Sequence, residues 1–108
     1  MMQLNPTKNS MMRLIRDTRN RMPEPVPLAG IKERRFRRRK DGAFEISWRH
    51  GKQAYHFVLD ECGDQYRLTA KIFEEERMDI MATIRVSTAH LIRLGILTDG
   101  EEGLVCQG

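Results

Sequence analysis

Five arginines and one lysine fall within the seven residues Arg34–Lys40, interrupted by Phe36 alone and followed by the turn pair Asp41-Gly42. Arginine suits phosphate because its planar guanidinium makes paired, charge-assisted hydrogen bonds. A run of Arg34, Arg35, Arg37, Arg38, Arg39 and Lys40 would displace counterions from a polyanion and make binding fall steeply with salt. Ahead of it, Arg13, Arg16 and Arg19 recur at helical spacing; behind it come Arg49, Arg67 and Lys71. These twelve residues are the candidate nucleic-acid contacts.

Other chemistries find no support. There is no glycine-rich phosphate loop, no His-Glu-x-x-His and no Cys-x-x-Cys. His50, His56 and His90 lack ligand spacing, and Cys62 lies among Asp60, Glu61 and Asp64 with no base beside it. The carboxylate pairs Asp60/Glu61 and Glu74/Glu75 read as solvated turns. The expectation is therefore a non-enzymatic protein with no cofactor and no metal.

The net charge of +4 conceals an asymmetry: residues 1–40 carry 12 Lys/Arg against 3 Asp/Glu, and residues 41–108 carry 7 against 12. A basic front suggests a polyanionic partner. At 108 residues the chain has room for one small domain. No apolar run reaches the roughly 18 residues of a membrane span. Met1-Met2-Gln3-Leu4-Asn5-Pro6 does not read as a secretory leader, and only Cys62 and Cys106 occur, so a reduced cytoplasmic location and no membrane partner are expected.

The elements that must position the arginines can be read from periodicity. Residues 1–9 are expected to be a poorly ordered lead-in. Ser10 is expected to cap a helix whose Met11, Leu14, Ile15, Thr18 and Met22 share one face and whose arginines share the other. Pro23 ends it, and Pro23, Pro25 and Pro27 should run extended as a spacer.

From Ala43 to Ile72 large apolar residues alternate strictly with polar ones, the signature of half-buried antiparallel strands. A Gly51-Lys52 turn sets Trp48 opposite Tyr55, Ile46 opposite Phe57 and Phe44 opposite Leu59. A four-residue loop, Glu61–Asp64, is expected to set Leu59 opposite Tyr66 and Phe57 opposite Leu68. A Lys40-Asp41-Gly42 loop would make the arginine run the preceding strand, with Phe36 opposite Ile46 and Arg37 opposite Glu45. Arg35, Arg37 and Arg39 would then share the solvent face with Arg49, His56, Arg67 and Lys71.

Residues 74–86 favour a turn and a further strand over a helix, since Ile80, Ala82, Ile84 and Val86 alternate. Ser87 caps a short helix that Gly95 ends, with Ile96 folding back on Leu91. Leu104-Val105 could add a brief edge strand. The expected fold is α+β: a single small domain with an antiparallel meander of four to five strands, an N-terminal amphipathic helix and a short C-terminal helix. Residues 1–30 would be helix and tether, 31–97 the core domain and 98–108 an acidic tail.

Two functions fit this reading. The first is a small regulatory protein that contacts the phosphates of duplex DNA or structured RNA. With Phe44, Trp48, Tyr55, Phe57 and Tyr66 all assigned to the buried face, no base-stacking platform is expected on the basic one. The second is a protein-interaction module. It would be an adaptor or inhibitor, such as a mobile-element counter-defence protein, binding an acidic or nucleic-acid-handling protein. Self-association as a homodimer is compatible with either.

Overall fold

A computed structural model of the chain describes residues 2–31 and 33–99. Its elements are β1 (Met2–Leu4), α1 (Lys8–Thr18), a 3-10 turn (Arg19–Arg21), β2 (Arg35–Arg38), β3 (Phe44–His50), β4 (Gln53–Cys62), β5 (Gln65–Glu74), β6 (Arg77–Val86), α2 (Thr88–Arg93) and β7 (Leu97–Asp99). Strands β2 to β6 form one antiparallel sheet in sequence order, and β1 pairs with β7 in a second, two-stranded ladder. This is the expected α+β meander, with β6 a strand.

The arginine strand pairs as the loop chemistry predicts, Phe36 facing Ile46 and Arg37 facing Glu45. Its loop closes through Arg39 N–H to the Ala43 carbonyl at 2.7 Å, and Asp41 Oδ1 accepts from Ala43 N–H at 3.1 Å. Trp48 faces Tyr55 and Ile46 faces Phe57, again as read.

The next hairpin differs. Leu59 faces Leu68, Phe57 faces Ala70 and Tyr66 faces Glu61, because the loop has two residues, Gly63-Asp64, instead of four. Gly63 takes φ +64°, the first-position conformation of a type II′ turn, so strand pairing continues through Cys62 and Gln65. The displacement is two residues. It preserves which face every side chain occupies.

Two local expectations at the N-terminus also change. Thr7, not Ser10, caps α1: the Thr7 hydroxyl accepts from Ser10 N–H at 3.0 Å while the Ser10 hydroxyl accepts from Thr7 N–H at 2.7 Å. Ser10 is the third helical residue of a reciprocal capping box. The lead-in is not loose either, since Met2–Leu4 pair with Leu97–Asp99, and Asn5 N–H donates to the Ile96 carbonyl at 2.6 Å. Helix α2 ends as expected. Gly95 turns left-handed at φ +73°, and Ile96 N–H returns to the Leu91 carbonyl at 2.9 Å.

One face of the sheet supplies the core: Ile46, Trp48, Tyr55, Phe57, Leu59, Leu68, Ala70 and Ile72 are buried together with Met11, Leu14 and Ile15 of α1 and Leu91 of α2. Each fully buried side chain of this kind contributes about 1.5–3 kcal/mol. Val26, in the proline segment, is also buried against this cluster. The expected strand at Leu104-Val105 lies outside the described residues.

Candidate nucleic-acid interface

The opposite, outer face of the sheet follows from the register. One row runs Arg35–Ser47–His56–Lys71–Met81 across all five strands. A second runs Arg37–Glu45–Val58–Thr69–Thr83, and Asp60–Arg67–Arg85 and Arg49–Ala54–Phe73–Met78 complete the face. Arg35, Arg37, Arg49, Arg67 and Lys71 thus share the surface that period-two patterning assigns them.

They are not equally free. Arg37 Nε donates to Glu45 Oε1, and Arg67 makes a two-pronged contact with Asp60 at 3.1 and 2.8 Å. That contact holds the Arg67 guanidinium above its ordinary value, first through the hydrogen bond and then through the carboxylate charge. Arg39 pairs with Asp41 at 3.0 Å, off the sheet in the loop. Such half-exposed pairs are worth about 0–1 kcal/mol each, but they mute the positive field locally. Arg35, Arg49 and Lys71 make no ion pair among the described residues, so their charge is available.

The remaining predicted residues do not converge on this surface. Arg38 lies on the core-facing side of β2 with its guanidinium 5.6 Å from the Phe44 ring centre, a cation–π contact. Arg34 precedes β2 half-buried, its Nε without a hydrogen-bond partner among the described residues. Lys40 is exposed at the loop. Arg13 and Arg16 on α1 and Arg19 in the 3-10 turn are exposed. Because α1 buries its apolar side in the core, they point away from the outer face.

The outer face also carries what sequence reasoning missed. Phe73, half-buried, stands there beside His56, ring centres 5.1 Å apart in an edge-on arrangement. The signal was available: Ile72 is inward, so alternation puts Phe73 outward, next to the strand's acidic end. The expectation of no aromatic among these cations is therefore corrected. Burial lowers the His56 pKa, Glu45 opposing and Lys71 adding to the effect.

Two depressions flank this pair and share Arg49, Ala54 and His56. One, about 210 Å³, is bounded by Phe73, Lys52, Glu75 and Glu76; the other, about 680 Å³, reaches Arg35, Glu33, Ser47 and Trp48. Together they form a groove from an aromatic end to an arginine end. A larger depression of about 1010 Å³ lies at the other end of the strands, where Arg38 shares the lining with Asp41, Asp60 and Glu61.

Among the described residues no His/Cys/Asp/Glu cluster has the arrangement of a metal site, and no helix is long and apolar enough to cross a membrane. Comparison with protein-family models, curated proteins and solved structures gives no match to this chain.

Proposed function

We propose that this chain is a small non-enzymatic nucleic-acid-associated protein that binds through the outer face of its sheet. The observation that carries the reading is the groove itself: Arg35, Arg49 and Lys52, none in an ion pair among the described residues, line it beside an outward-facing Phe73–His56 pair, and Lys71 faces His56 in the adjoining strand. Cations along a groove hold a phosphate backbone, and an aromatic face beside them accepts an unpaired base. The ligand class supported best is therefore a strand with unpaired bases, such as the loop of a structured RNA, in preference to plain duplex. Glu75 and Glu76 border the Phe73 end, so the phosphate path runs from there toward Arg49 and Arg35.

Fluorescence anisotropy with a labelled RNA hairpin, a single strand and a duplex, each at two salt concentrations, tests this. Binding of the hairpin and single strand that weakens steeply with salt, with the duplex weaker, is the expected result. No binding to any of the three at low salt would refute it and leave a protein partner as the reading to pursue.

A further inference from the structure

The five-stranded sheet has two edges of unlike character. The β2 edge is four residues long and carries Arg35, Arg37 and Arg38, so two copies meeting there would oppose arginine to arginine. Charged, short edges of that kind resist pairing. The β6 edge runs ten residues, has no strand beside it among the described residues, and exposes Met78 and Met81 by 51% and 60%.

The backbone of β6 is oriented for a partner. Arg21 Nη2 donates to the Arg85 carbonyl at 2.9 Å, so the Arg85 peptide group faces the free edge. By the alternation of an antiparallel ladder, the groups of Thr83 and Met81 face it too. The register shift between Ile72 and Phe73 leaves Asp79 without a partner on β5. Asp79 is an exposed carboxylate with no ion pair among the described residues.

We propose that β6 pairs with β6 of a second copy of this chain, antiparallel and centred on Ala82. In that register Met81 faces Thr83, Ile80 faces Ile84 and Asp79 faces Arg85, each twice by symmetry. Both ends then join opposite charges, and Arg21 places a second cation near the incoming Asp79. Centring on Met81 instead opposes Arg77 to Arg85; centring on Thr83 leaves Asp79 facing Ser87. The charge pattern therefore selects one register. Pairing would join two sheets into one and set the two outer-face grooves about a two-fold axis, but it does not depend on what those grooves bind.

Sedimentation equilibrium of the full chain over a range of concentrations tests the idea without nucleic acid. A reversible dimer is expected. Asp79→Arg or Arg85→Asp alone should weaken it by roughly tenfold or more, since each replaces two attractive cross-strand pairs with two repulsive ones. The double variant Asp79→Arg/Arg85→Asp should restore it, with circular dichroism unchanged throughout. A second measurement fixes the register: Ala82→Cys, with Cys62 and Cys106 replaced by Ser, should cross-link under mild oxidation. Facing non-hydrogen-bonded residues lie about 4.5 Å apart at Cα, within disulfide reach. A chain that stays monomeric, a dimer indifferent to the single reversals, a double variant without rescue or a failed cross-link would each overturn the proposal.

Discussion

Replacing Arg35, Arg49 and Lys71 together with Ala removes three outer-face cations that make no ion pair among the described residues, two lining the groove and Lys71 facing His56, and leaves Lys52 on the rim. Each cation on a phosphate of a single strand contributes about 0.7 to the slope of log K against log salt. Loss of three should lower the slope by about 2, so over a fourfold change in salt the wild type should lose about 20-fold more affinity than the variant. The matched control removes the same charge elsewhere: Arg13, Arg16 and Arg19 to Ala, on the far side of the core. That triple should leave the slope nearly unchanged. Both sets are solvent-facing positions, each worth within about 0.5 kcal/mol of stability, so either triple should move the thermal midpoint by less than about 10 °C. Anisotropy with a labelled RNA hairpin between 50 and 200 mM salt reads the slopes directly. Equal losses in the two triples would show that net charge, not the groove, drives binding, and an unchanged slope in the first would refute the interface outright.

Three further outcomes follow from particular contacts. Phe73→Ala should weaken single-strand or hairpin binding by about 1–3 kcal/mol, roughly 5- to 150-fold, while leaving duplex binding unchanged in the same titration. The turn joining β5 to β6 holds Glu75 and Glu76 at φ +50° and +66°, and left-handed backbone costs a non-glycine residue about 1–2 kcal/mol. Changing the pair to Asn-Gly, which suits such turns, should raise the thermal midpoint by several degrees and tighten nucleic-acid binding by removing two carboxylates from the groove rim. His56 has a folded-state pKa below its ordinary value of about 6.5, so the unfolded chain binds its proton more readily. Its contribution to stability is complete above that value and declines as pH falls toward the lowered folded value. Melting curves from pH 8 to pH 5 should accordingly show a shallower decline for His56→Gln than for the wild type.

Much of this was legible because strand periodicity is local. Alternation from Phe44 to Ile72 specifies the buried and solvent faces, and the Asp41-Gly42 and Gly51-Lys52 signals specify the two registers that form. The β4–β5 hairpin escaped in detail, since Glu61 and Cys62 have the polarity of loop residues although they extend the strand. A two-residue error left the faces intact, so the solvent-facing cations were still grouped correctly.

What the sequence hid was non-local or reciprocal. The partner of Met2–Leu4 lies at Leu97–Asp99, and nothing in three N-terminal residues announces a ladder with the other end of the chain. Thr7 and Ser10 are both hydroxyl residues able to cap a helix, and only the mutual bonding shows which holds the position. The pairing of Arg37 with Glu45 followed from the register. That of Arg67 with Asp60 needed the corrected hairpin, which is why the free cations could not be separated from the neutralised ones beforehand. The outward place of Phe73 is masked in the sequence by the adjoining Glu74–Glu76 run, which has the polarity of a turn.

The most direct test is a ¹H–¹⁵N chemical-shift titration of the labelled chain with an RNA hairpin. The account predicts shifts concentrated at Arg35, Arg49, His56, Lys71 and Phe73, with α1 quiet. Shifts confined to α1 and Arg19, or an unperturbed outer face at saturating ligand, would contradict it.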